Sequence, residues 1–285
     1  HVVAACFLFV HFEGRTQGLH DFVVRVGSAG FGVEGDGNHI GIHFSENLND
    51  RHHIALHRRL FGKDVALVES QPAVVDGSGI PADVPPQAVG LSPEHMGFAG
   101  TLSHEAETLL ASWTEIGRSV AAAGVCKLII LNSHGGQPQI VDLVAQRLRT
   151  EADMLAVRTN SFRFDLPPNL IAEDERAFGL HGGQIDTALM LALHPDLVRQ
   201  DQITDFPNKA AAHARTARRL GLSGAGGYAW NAEDLNPAGA TGNASLATAE
   251  QGATLLSAYA DQLAELIVDV ADWSLTDGEI FGAAP

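Results

Sequence analysis

Lys127-Leu-Ile-Ile-Leu131 runs into Asn132-Ser-His-Gly-Gly136 and then into Pro138–Thr150, where Ile140, Leu143, Val144 and Leu148 recur at helical spacing. The first segment is short and continuously apolar, as a strand covered on both faces should be. The last has the period of a helix with one apolar side. Strand, glycine loop and helix in that order predict a right-handed crossover unit of a parallel sheet. Met154–Thr159 follows directly as the next strand and completes a β-α-β reading.

Working outward, Leu109, Leu110, Trp113, Ile116 and Val120 predict a helix from about Ser103 to Ala123, stopped by Gly124. His181-Gly-Gly183 opens a second helix to about His194, with Ile185, Leu189, Met190 and Leu193 on one side. Residues 221–248, rich in glycine and alanine, read as loop. Ala249–Asp272 reads as the last helix, its apolar stripe formed by Leu255, Leu256, Tyr259, Leu263, Leu266, Ile267 and Val270. Pro81–Pro86 links this part to a segment of different character. Residues 1–82 show no firm period, and stretches such as Asp21–Val26 and Ala66–Glu69 suggest strands. The expected class is α/β, a three-layer α/β/α domain with a mostly parallel sheet over residues 83–285, after an atypical segment 1–82.

Charge narrows the partners. The chain carries 34 acidic and 18 basic side chains, a net charge of −16, most of it beyond residue 80. Such a polyanion repels nucleic acid phosphates and anionic membrane surfaces, so neither is an expected partner. No run of about 18 apolar residues suggests a membrane-spanning helix. Two cysteines, Cys6 and Cys126, cannot build a disulfide framework and fit a reducing, cytoplasmic location. The chain starts with His1 rather than Met, which suggests a fragment, a processed product or a start that lies elsewhere.

Histidine is the unusual count, 14 in all. Many crowd the first 57 residues, where His39 and His43 stand four apart. Gly35, Gly37 and Gly41 oppose the helix that such a pair would need to chelate a metal. Two later histidines are better placed. His134 sits at the carboxyl end of the buried strand, where open α/β sheets put their ligands. Gly135 and Gly136 let the backbone approach a bound group or adopt positive φ, although the same residues suit a packing turn. His181-Gly182-Gly183-Gln184-Ile185-Asp186 repeats the element and adds a carboxylate in a first helical turn. Asp186 there can complement the helix dipole. With imidazole it also makes a donor set suited to Zn, Mn or Fe. Ser92-Pro-Glu94-His95, ahead of Phe98-Ala-Gly100-Thr101, is by itself a polar loop.

In this order the segments resemble the creatininase family of metal-dependent amidohydrolases. Gly90 to Thr101 is similar to its Gly-x-Ser-x-Glu-His…Phe-Pro-Gly-Thr segment, with Ala99 in the proline place. Asn132 to Gln137 is similar to Asn-Gly-His-Gly-Gly-Asn. His181 to Ala188 is similar to His-Ala-Gly-x-x-Glu-Thr-Ser, with Asp186 for Glu. Met190-Leu191…Pro195-Asp196-Leu197-Val198 and Gly239-Ala-Thr-Gly242…Glu250-Gln-Gly252 look like later family segments.

The resemblance implies an oligomeric α/β/α protein, expected to be a homo-oligomer, that hydrolyses amide C–N bonds of a small-molecule substrate. It also implies a dinuclear centre of divalent metal, zinc first, with manganese or iron as alternatives. On that resemblance His134 and Asp186 are metal ligands and His181 is the acid/base or transition-state-stabilising histidine. Ser92, His95, Gly135 and Gly136 line the substrate pocket.

The family's early Glu-x-His-Gly-x-His-Leu-Pro-x-x-x-Asp segment has no counterpart here. The nearest stretch, Glu34–His43, has different spacing and lacks the Leu-Pro. Two readings stay open. Residues 1–82 are a mistaken translation joined to a genuine later part, or the protein is a silent family member that has lost its metal. Trp230 is the only tryptophan in the later loop, so creatinine is one candidate beside formamide-type nucleobase derivatives and peptides.

Overall fold

The computed structural model describes residues 87–275 and, before them, the backbone of four strands. These are β1 (Phe7–Phe12), β2 (Arg25–Val26), β3 (Phe31–Gly35) and β4 (Ile40–Phe44). Of the expected strand Asp21–Val26, the last two residues are strand. The one expected at Ala66–Glu69 and the link Pro81–Pro86 lie outside the described residues. His43 falls on β4, which pairs antiparallel with β3, while His39 is outside the described residues.

The chain divides into two compact units. One, the strand unit, comprises Ala4–Leu91, His104–Arg163 and Asp261–Pro285. Its elements include α1 (Ala106–Ala122), β5 (Lys127–Asn132), α2 (Pro138–Ala152) and β6 (Leu155–Asn160). β5 and β6 pair in parallel from Lys127↔Leu155 to Asn132↔Asn160. That is the expected β-α-β, with edges within two residues of those read from periodicity. On its other side β5 pairs antiparallel with β1, giving the order β1-β5-β6.

The apolar run of β5 explains its central place. Leu128, Ile129 and Ile130 are all 0% exposed, so this strand is covered on both faces. Leu109 and Trp113 of α1 and Ile140, Val141, Val144 and Leu148 of α2 pack with Leu128, Ile130 and Met154 into one core. Gly117 brings α1 close to α2, since a Cβ there would meet the Leu148 side chain. Lys127 closes the unit by donating from Nζ to Val270 O and Ala271 O at 3.0 and 2.8 Å. These are last-turn carbonyls of α7 (Ala249–Asp272), where a cation also meets the negative end of the helix.

α1 starts at Ala106, three residues later than expected, for a tertiary reason. The Ser103 hydroxyl that could have capped it accepts Ser92 N–H at 2.9 Å instead. His104 N–H goes to Gly90 O at 2.8 Å, away from the helix.

The second, the histidine unit, comprises His1–Val3, Ser92–Ser103 and Phe164–Ala260. It holds four short helices, α3 (Glu173–Phe178), α4 (Gln184–Leu193), α5 (Ala210–Ala214) and α6 (Ala232–Leu235), and the first half of α7. α4 and α7 have nearly the bounds expected of them, whereas α3 had no periodic signal. The stretch 221–248 is mostly loop. Within it Gly242–Asn243 pairs with Asp205–Phe206. The fold class is α/β. Among the described residues no helix is long and apolar enough to cross a membrane.

Candidate active site

In the strand unit the loop after β5 is built by amides. Asn132, the last residue of β5 and 0% exposed, accepts His134 N–H at 3.0 Å and donates to His134 O at 2.9 Å. It also donates to Asn160 Oδ1 at the end of β6, at 2.8 Å. Gln137 is equally buried, donating to Asn132 Oδ1 and accepting Leu91 N–H at 2.8 Å. These bonds satisfy every polar atom of the buried Asn132 side chain, which fixes the loop tightly. The His134 ring is thereby placed with Nε2 3.1 Å from Leu91 O. A carbonyl can only accept, so Nε2 carries the hydrogen. Neither Gly135 nor Gly136 has positive φ, and Gly135 faces open space.

The histidine unit brings together Ser92, His95 and His181. Pro93–His95 is one turn of 3-10 helix, held from behind by the Thr101 hydroxyl donating to His95 O at 2.9 Å. Ser92 and His95 are 3% and 6% exposed, so both face protein rather than open solvent. The Ser92 hydroxyl donates to Glu94 Oε1 at 2.9 Å, and His95 Nδ1 lies 2.9 Å from that oxygen. His95 Nε2 lies 3.2 Å from His181 Nε2, the two rings edge to face with centroids 4.5 Å apart. His181 Nε2 also bonds Gly239 O, and the Trp230 ring lies nearly parallel to His181 at 6.5 Å.

The backbone around His181 is set by two groups that sequence reasoning missed. Thr241 N–H donates to His181 O at 2.9 Å, and its hydroxyl accepts Leu180 N–H at 3.1 Å. Glu175, 8% exposed, accepts Gln184 N–H at 2.7 Å and Asn243 N–H at 2.8 Å, one on each carboxylate oxygen. Gly179, Gly183 and Gly242 surround it, and a Cβ on any of the three would fall on Glu175 Oε1. Thr241 was legible as part of the Gly239–Gly242 segment. Glu175 was not, because its acidic neighbours Glu173 and Asp174 are those of an ordinary exposed first turn.

Asp186, in the first turn of α4, accepts Gly182 N–H at 2.6 Å. It keeps accessible surface, yet the protein around it is dense. Desolvation raises its carboxyl above the usual range, the Gly182 bond opposes the rise, and the nearby Glu175 charge adds to it. Across from it burial, and then the Asp186 charge, push the Tyr259 phenol up to about 12. A folded-state carboxyl raised above its ordinary 3.8 stabilises the fold fully below that pH and loses the contribution as pH rises through the folded value. Asp186→Asn, which can keep the Gly182 bond, is therefore expected to raise the melting temperature of chelator-treated protein at pH 8. The gain should vanish toward pH 4. Equal melting temperatures at pH 8 would show that ionised Asp186 carries no such strain.

Among the described residues no three His, Cys, Asp or Glu side chains gather as a metal-holding group. A catalytic zinc has three protein ligands as a rule. Neither His134 nor Asp186 belongs to such a group among the described residues. What the site does offer is a carboxylate-backed imidazole pair.

Comparison with known proteins follows the same lines. Residues 61–267 match the creatininase family, described as creatinine amidohydrolase, and the chain belongs to that family. The match begins ahead of residue 83, where the motif resemblance starts. A mycofactocin precursor peptide peptidase of Mycobacterium ulcerans (strain Agy99) is 28% identical over 190 residues, 67% of this chain and 66% of that one. A creatinine amidohydrolase of Pseudomonas putida is 33% identical over 121 residues, 39% of this chain and 46% of that one. The chain thus spans about two thirds of the first relative and about half of the second. A crystal structure of creatinine amidohydrolase (creatininase) superposes with TM-score 0.53 at 25% identity, covering 68% of this chain and 77% of the other. A creatininase variant of Zn-Zn type gives TM-score 0.52 at 25% identity, covering 67% and 77%.

Proposed function

We propose that this chain hydrolyses amide C–N bonds, with His181 as the group that protonates the leaving nitrogen. The supporting observation is the setting of His181, edge-on to buried His95 and bonded through Nε2 to Gly239 O. An amine leaves a tetrahedral intermediate poorly unless its nitrogen gains a proton, and a fixed imidazole is the side chain best suited to deliver one near neutral pH. The balance is simple. Water adds to the carbonyl and loses a proton to His181, the C–N bond breaks, and the leaving nitrogen takes that proton back from His181, giving a carboxylic acid and an amine.

The family relationship supports a divalent metal as cofactor, zinc first and manganese or iron next. His134 and Asp186 are its ligands in this reading, and the set needs further donors. Ser92, His95, Gly135 and Gly136 belong to the substrate side of the same reading, although Ser92 and His95 reach substrate only through their neighbours. Names of the relatives support two substrate classes, creatinine-like cyclic amides and short peptides. A homo-oligomer in the cytoplasm completes the proposal, the location resting on the two cysteines.

The test is turnover by purified protein on creatinine and on short peptides, before and after chelation, beside elemental analysis. Stoichiometric metal with activity lost on chelation and restored by Zn or Mn is the expected result. A folded protein with no metal and no turnover, even after metal addition, would instead leave a silent binding member of the family.

A further inference from the structure

We infer that Glu94 and His95 form a relay behind His181, in which one backbone carbonyl sets the position of every proton. The inference rests on the proposed acid role of His181 and names two positioning residues for it. Glu94 and His95 touch no substrate in this arrangement.

Gly239 O can only accept, and it meets His181 Nε2, so that nitrogen carries a hydrogen. His95 Nε2 lies 3.2 Å from the same nitrogen. Two N–H groups cannot face each other there, so His95 turns a lone pair toward His181, whose Nε2 hydrogen is shared between His95 Nε2 and Gly239 O. A neutral imidazole has one N–H, and that of His95 is then on Nδ1. Nδ1 lies 2.9 Å from Glu94 Oε1 and 3.0 Å from Ser92 Oγ. The Ser92 hydroxyl gives its own hydrogen to Glu94 Oε1 at 2.9 Å, leaving its oxygen able to accept from His95. Each donor meets an acceptor, and the chain ends on a carboxylate with a side chain only 12% exposed.

Two consequences follow for His181. Its Nε2–H is committed, so Nδ1 is the nitrogen whose protonation changes during reaction. When Nδ1 takes a proton, the positive charge spreads toward His95 and is balanced by Glu94 through a little-hydrated path. The relay thus holds the ring plane and tautomer and stabilises the charged form. Burial of Ser92 and His95 fits this role, since both are enclosed by protein.

The test has two arms. Protein with 15N-labelled histidine rings is examined by NMR at pH 8, with His95→Gln and His181→Gln providing the assignments. Hydrogen on Nε2 of His181 and on Nδ1 of His95 is expected, and hydrogen on Nδ1 of neutral His181 overturns the relay. In the second arm Glu94→Gln keeps an acceptor oxygen but removes the charge. It is expected to lower kcat about tenfold to a hundredfold, in the range seen when a group orienting a catalytic side chain from behind is lost. KM and melting temperature should stay near those of the unsubstituted protein. Unchanged kcat in a folded Glu94→Gln variant also overturns the proposal. If the protein turns over no amide at all, the acid role of His181 fails while the NMR arm still decides the relay. Turnover with the wrong tautomer sinks the relay and leaves the hydrolase reading standing.

Discussion

Glu175→Ala is expected to destabilise the protein by roughly 2–5 kcal/mol, because two backbone N–H groups, one buried and one partly buried, lose their acceptor at once. Glu175 Oε1 holds Gln184 N–H and Oε2 holds Asn243 N–H, on segments 9 and 68 residues away in the chain. The glycines at 179, 183 and 242 leave room for the carboxylate and for little else. Water entering the vacated space would recover part of the loss, which sets the lower end of the range. Glu175→Gln should be no rescue. Both oxygens accept from backbone donors, so an amide must turn its NH2 group against one N–H. Urea denaturation of the two variants checks this, and a loss below about 1 kcal/mol in Glu175→Ala would show that water replaces the carboxylate fully.

The largest effect on activity is expected at His181. His181→Ala should lower kcat by about 10²- to 10⁴-fold, the usual contribution of a positioned proton donor. KM should change little, because the group acts on the leaving nitrogen as the C–N bond breaks and not on substrate capture. Added imidazole should restore part of the rate by entering the space between His95 and Trp230, ring centroids that now stand 4.5 and 6.5 Å from that of His181. The fold should survive, since the segment is pinned by backbone bonds to Thr241 rather than by the imidazole. Steady-state kinetics on whichever amide the protein turns over provides the measurement. A kcat within threefold of the unsubstituted protein would remove His181 from the chemistry.

The two predictions differ in how far the sequence could have led to them. His181 announces itself, because a His-Gly-Gly element before an amphipathic helix is a local pattern. Glu175 does not, since its work is done by partners that chain order hides. Glu94 lies between. It was visible inside Ser92-Pro-Glu94-His95, yet its carboxylate gains meaning only when His181, 86 residues beyond His95, comes to lie against that histidine. The helix start at Ala106 tells the same story on a smaller scale. Ser103 is a sound capping residue by composition, and a tertiary bond to Ser92 takes it away from the helix.

What the sequence determined by itself are features of short range. The parallel pair β5 and β6, the helix between them and the full length of α7 follow from apolar period, and period is a property of neighbours. The motif order was enough to point to the family. Only the tertiary structure decided which polar groups meet. The antiparallel strand β1 beside β5, the carbonyl of Gly239 on His181 and the carboxylate of Glu175 among three glycines all join distant segments. Hydrogen bonds act over about 3 Å and depend on direction, so their partners are fixed only once the core has set the backbone in place.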